Sequence, residues 1–190
     1  MNIQEIFKKN KIDYLTHFTS IYNLESILEN GLLSVNYMNK NNIQYSNNDN
    51  NRFDNQLNYI SVSTSEINKK MLYKKYYNNE RNLNIWIILV LDLSLLLDLS
   101  MNIYYCYKNA ASSEISMLLK NNAEIFKTTS YINKFLNSND IQKEILIKDS
   151  IPVKYIKGII IKNQNDKDIV SNILNSKKIN IPVICKSEMF

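Results

Sequence analysis

Two hydrophobic patterns divide this chain: short apolar runs broken by polar turns, and stretches in which apolar positions recur every three or four residues. Tyr14 to Phe18 reads as a short strand. Ser20 then caps a helix in which Leu24, Ile27 and Leu28 share a face, and Gly31 ends that helix as a left-handed residue. Tyr59 to Thr64 alternates like a half-buried strand, with Ser61 and Ser63 on one face and Ile60 and Val62 on the other. Ile85 to Leu91 is continuously apolar, as a central strand buried on both faces requires, and a helical turn follows around Ser94 to Leu97. Asn68 to Asn79, with Met71, Leu72 and Tyr76 among lysines, reads as a basic helix. Ala110 to Leu119 has helical character, with Ile115, Leu118 and Leu119 as its apolar stripe. A last helix, Lys167 to Ser176, precedes a terminal strand, Ile179 to Ile184. Short strands with segregated helices and no internal repeat predict an α+β fold, in one domain spanning residues 1–190.

The segments without clear periodicity carry the polar chemistry. Asn36 to Asn58 is rich in Asn, Ser and Asp and predicts a long loop, in which Arg52 is the sole Lys or Arg between Lys40 and Lys69. Thr128 to Asp140 is polar but holds Tyr131 and Phe135. It leads into Gln142-Lys143-Glu144-Ile145-Leu146-Ile147, a strand whose alternation puts Glu144, Leu146 and Lys148 on one side and Ile145 and Ile147 on the other. A turn at Asp149 to Pro152 and a second apolar run from Tyr155 to Ile161 follow.

Composition changes this picture only modestly. The formal net charge of +5 and the mixing of lysines with 13 tyrosines suit acidic, base-bearing partners, although an AT-rich genome would also favour Lys, Asn and Tyr. Cys106 and Cys185 are too few for a disulfide framework and form no CxxC pair, so a reducing, cytoplasmic setting and no metal site are expected. The N-terminus lacks the apolar core of a secretory signal, and Asp92 and Asp98 interrupt the most apolar segment well short of the roughly 20 residues of a membrane span. A soluble protein with no membrane partner is the expectation.

No glycine-rich phosphate loop is present, and His17 is the sole histidine, which removes P-loop, kinase and Ser-His-Asp readings. What remains is an ordered set: His17 with Thr19 at the end of the first strand, Arg52 in a polar loop, a serine-bearing strand, and Glu144 on a late strand. In these elements the sequence resembles the DarT family of bacterial toxins that transfer ADP-ribose from NAD to DNA. The resemblance runs from Leu15 to about Ile161. It is carried by His17-Phe18-Thr19 with Asn23-Leu24 through Gly31-Leu32, by Arg52-Phe53-Asp54 with Tyr59 to Ser63 and Met71-Leu72-Tyr73, and by the Gln142 to Ile147 strand with Ile151-Pro152 behind it. Ser20 stands where many relatives have a second histidine, and Asn109-Ala110-Ala111-Ser112 looks more like the guanine-modifying branch than the thymine-modifying one, so the acceptor base stays open.

The resemblance implies a single ADP-ribosyltransferase-like domain with a central, split, mostly antiparallel sheet flanked by helices, NAD as co-substrate, single-stranded DNA as acceptor and a macrodomain (DarG-like) antitoxin as partner. It implies that Glu144 and Arg52 are catalytic. Glu144 would stabilise positive charge on the reacting ribose, and Arg52 would hold the NAD pyrophosphate. His17, Thr19, Asn23, Gly31, Leu32 and Tyr73 would contribute to NAD binding, and Tyr131 and Phe135 to acceptor binding by base stacking, with phosphate contacts from Lys69, Lys70, Lys74 and Lys75. The same residues leave two rival functions: transfer to RNA, and a non-catalytic nucleic-acid-binding module.

Overall fold

The computed structural model describes residues 2–45, 56–64, 67, 72 and 85–190. Its architecture is α+β, organised around strands β1 (Tyr14–Ser20), β2 (Leu32–Leu33), β3 (Tyr59–Val62), β4 (Trp86–Asp92), β5 (Ile103–Cys106), β6 (Glu144–Lys148), β7 (Ser150–Ile151), β8 (Ile156–Ile161) and β9 (Val183–Cys185). A four-stranded sheet has the order β1-β4-β8-β9, a three-stranded sheet the order β3-β6-β5, and β2 pairs with β7. Every pairing is antiparallel except that of β8 with β9.

The continuously apolar β4 lies between β1 and β8, and its alternation assigns its two faces to two different clusters. Ile87, Leu89 and Leu91 join the main core, whereas Trp86 and Ile88 join a second cluster with Ile67, Leu72 and Ile160, against which Phe18, Met189 and Phe190 pack. In β1 the same alternation sends Leu15 into the main core and Phe18 to the second cluster. His17 and Thr19, in step with Leu15, therefore lie on the main-core side.

Helices α1 (Ile3–Lys9), α2 (Leu24–Asn30), α3 (Val35–Lys40), α4 (Ser113–Asn122), α5 (Thr129–Leu136) and α6 (Asp166–Ser176) flank the sheets. Their starts are written in the sequence. Ser34, Ser112 and Thr128 accept N-terminal amides of α3, α4 and α5, and Asn2 with Glu5 forms a capping box on α1.

Several sequence expectations are corrected. Ser20 caps a 3₁₀ turn, Ile21–Asn23, and the α-helix begins only at Leu24. Gly31 has the expected positive φ, 82°, but its ψ of 178° is the mirror image of extended chain and not the left-handed helical conformation. The expected loop from Asn36 begins inside α3, because Ser34 supplies a cap and Val35 a start. Thr128 to Asp140 is mostly helix, and Ile103–Cys106, unremarked in the sequence pattern, is a strand buried at every position. Leu146, which shares a side of its strand with Glu144 and Lys148, is fully buried, so that side passes from the core at Leu146 to half-exposed at Glu144. Most of the expected basic helix, with Lys69, Lys70, Lys74 and Lys75, lies outside the described residues.

Candidate active site at the junction of the two sheets

Thr16 of β1 and Ser63, just beyond β3, form a bridge of reciprocal backbone hydrogen bonds, each 2.9 Å, and join the two larger sheets there. This junction brings residues from β1, β3 and β6 together. His17 Nδ1 lies 2.8 Å from the carbonyl oxygen of Ser61. A carbonyl can only accept, so Nδ1 carries a proton and donates it to Ser61.

The Ser61 side chain extends the chain of contacts to Glu144. Ser61 is opposite Leu146 in the β3–β6 ladder, which puts it on the same face as Glu144 and one diagonal away, within reach of a long side chain. Its hydroxyl donates to Glu144 Oε2. The other oxygen, Oε1, accepts the backbone N–H of Ala110 at 2.6 Å, a charge-assisted bond from the turn that follows β5. Cys106 of β5 is directly opposite Glu144, and burial, with the Glu144 charge added, pushes its thiol pKa up. Glu144 is half-buried at the mouth of its strand, so the carboxylate is oriented by donors on both oxygens without being sealed in the core.

Thr19 and Asn23 also meet. Asn23 Nδ2 donates to Thr19 Oγ1 at 3.1 Å, tying the end of β1 to the 3₁₀ turn. Gly31 and Leu32 lie beyond α2, where β2 pairs with β7. A Cβ on Gly31 would lie 2.6 Å from the Ile151 carbonyl oxygen, so close backbone approach by itself explains this glycine. Tyr131 is half-buried on α5, packed on Phe126 and Tyr107 with ring centroids 4.9 and 6.0 Å away. Phe135 is fully buried against Phe7 and Tyr105. It offers no face to a base, so the stacking expected of Phe135 is corrected to core packing. Arg52 and Tyr73 lie outside the described residues.

Ser61 and the Ala110 amide escaped the sequence reading as partners of Glu144. The alternation placed Ser61 on a polar face, but its partner depends on the register of strands far apart in the chain, and a backbone amide leaves no residue signature. The oriented carboxylate, with the His17 imidazole at the same junction, has the chemistry to hold ribose hydroxyls and to sit beside developing positive charge. Among the described residues, no cluster of His, Cys, Asp and Glu could hold a metal ion, and no helix is long and apolar enough to cross a membrane.

This fold is shared by solved DarT proteins. Thermus sp. 2.9 DarT in complex with NAD+ superposes with a TM-score of 0.68 at 17% identity, covering 95% of this chain and 98% of that one. The same protein in complex with ADP-ribosylated single-stranded DNA gives a TM-score of 0.69 at 17% identity, covering 95% of this chain and 97% of that one. Thermosipho africanus DarTG in complex with ADP-ribose gives 0.64 at 19% identity; 94% of this chain is covered, but it spans only 51% of that one. No curated protein matches the sequence significantly. The family model described as "ssDNA thymidine ADP-ribosyltransferase, DarT" matches residues 16–190, and the chain belongs to that family.

Proposed function

We propose that this protein is a cytoplasmic toxin that transfers ADP-ribose from NAD to a base of single-stranded DNA, with Glu144 as the catalytic carboxylate. The observation that carries this reading is the fixed orientation of Glu144 between the Ser61 hydroxyl and the Ala110 amide, at the junction that also holds His17. In the reaction the bond from the ribose anomeric carbon to the nicotinamide nitrogen breaks. The pyridinium leaves as neutral nicotinamide, and a base nitrogen forms the new bond to carbon. Positive charge develops on the ribose as the old bond breaks, and a fixed carboxylate stabilises it. The proton lost by the base nitrogen has Glu144 as its acceptor.

His17, Thr19 and Asn23 contribute to the NAD side. The roles of Arg52, holding the pyrophosphate, and of Tyr73, stacking on nicotinamide, rest on the resemblance, as does partnership with a macrodomain antitoxin. Tyr131 belongs to the acceptor side. The family description supports thymidine as the acceptor, and guanine, suggested by Asn109 to Ser112, is the alternative that the experiment resolves.

The test is intact-mass analysis of single-stranded oligonucleotides with and without thymidine or guanine, incubated with protein and NAD. The expected result is a gain of one ADP-ribose on thymidine-containing DNA. Glu144→Gln, which removes the charge and keeps the shape, is expected to lower turnover by about 100-fold or more. A gain confined to RNA would move the acceptor, and salt-sensitive binding with NAD left intact would replace the enzyme by a binding module. Full turnover in Glu144→Gln would remove this residue from the mechanism.

A further inference from the structure

Ser138 lies in the stretch between α5 and β6 that delivers the chain to Glu144, and each of its polar groups is engaged. Its N–H donates to the Phe135 carbonyl at 3.2 Å, and its own carbonyl accepts Lys143 Nζ at 2.8 Å. Its hydroxyl donates to the Tyr107 carbonyl at 2.7 Å and accepts the Asp140 N–H at 3.1 Å. Lys143, the immediate neighbour of Glu144, also reaches the Phe135 carbonyl at 3.2 Å. The segment before the catalytic strand is thus closed on itself from both ends, with Ser138 as its hub.

The bond to Tyr107 leaves this hub for a different loop. Beyond Tyr107 the chain turns at Asn109, whose side-chain oxygen accepts the Ala111 N–H at 2.8 Å and whose carbonyl accepts the Ser112 N–H at 3.0 Å. That turn aims the Ala110 N–H at Glu144 Oε1. The two loops flanking the carboxylate are therefore cross-tied by one hydroxyl. A charge-assisted bond is sensitive to the direction of its donor, and a misplacement of about 1 Å at a reacting group can cost about 100-fold in rate.

We propose that Ser138 is a positioning residue for Glu144, acting through Tyr107 and the Ala110 amide. The inference rests on Glu144 being the catalytic carboxylate. It makes the segment preceding β6 part of the device that sets the carboxylate, so movement of that segment changes turnover and not NAD affinity.

The test is steady-state ADP-ribosylation of a single-stranded oligonucleotide by wild type, Ser138→Ala, Ser138→Thr and Ser138→Val, with Glu144→Gln alongside. Ser138→Ala and Ser138→Val are expected to lower kcat about tenfold while KM for NAD stays within about twofold, and Ser138→Thr to stay within about threefold of wild-type kcat. Thr and Val have the same shape, so their difference reads the hydroxyl even if the Ala variant is too unstable to assay. Equal kcat in the Thr and Val variants would overturn the proposal, as would a loss confined to KM. A Val variant that fails to fold while the Thr variant folds would also overturn it, because the hydroxyl would then be structural. Full turnover in Glu144→Gln would instead locate the failure in the assignment of the carboxylate.

Discussion

A Cβ at position 31 would lie 2.6 Å from the carbonyl oxygen of Ile151, on a backbone with φ 82° and ψ 178° that only glycine adopts without strain. Gly31→Ala must therefore distort the pairing of β2 with β7 as well as its own backbone. The expected loss is about 1–3 kcal/mol in a chemical denaturation experiment, and an unchanged midpoint would show that β7 yields at no cost. Glycine at the end of a helix is legible in a sequence, but the β7 carbonyl that demands it is not. Glu144 shows the same division. Its place at the start of an apolar strand was visible, whereas Ser61 and the Ala110 amide become partners only once register and turn bring them to it.

Among the elements, those with alternation, a long apolar run or helical spacing were legible, including β1, β4, β6 and β8, together with α2, α4 and α6. The stretch around α5 was not, because its small polar residues weaken the helical signal even though Thr128 supplies a cap. Strand β5 was missed for another reason. Ile103-Tyr104-Tyr105-Cys106 is short and buried throughout, so it has no polar face to alternate with. These two misreadings share a consequence, since Phe135 of α5 packs on Tyr105 of β5 and on Phe7 of α1, with centroids 5.9 and 6.1 Å away. Once both elements are in place, the aromatic assigned to the acceptor becomes the bolt between three elements. Phe135→Ala is expected to cost about 3–5 kcal/mol of stability. Below the melting temperature of the variant, its affinity for single-stranded DNA should match that of wild type. A stable variant with weakened DNA binding would restore the acceptor role.

At the scale of the whole molecule, the basic balance makes acid the informative direction of stress, and Asp98 is the carboxylate through which it can be read. Asp98 follows the 3₁₀ helix Leu93–Leu97 that leaves β4, and it accepts the Tyr155 hydroxyl at 2.6 Å, tying that exit to the entry of β8. Hydrogen bonds from the Ser100 side chain, from Tyr155 and from the Ser100 backbone, with Lys154 nearby, hold its pKa down at about 2. An ordinary carboxylate titrates near pH 3.9, roughly its value in the unfolded chain. The folded state thus binds the proton less readily than the unfolded one. The stabilisation from the charged form is present above about pH 4 and declines as pH falls towards 2. Asp98→Asn is uncharged at every pH and lacks this contribution throughout. Its melting temperature should lie below that of wild type near pH 6, and the gap should narrow between pH 4 and pH 2. Comparing the two proteins at each pH cancels every other carboxylate that protonates in that range. A gap of the same size at pH 2 would mean that the shape of the side chain, and not its charge, ties β4 to β8.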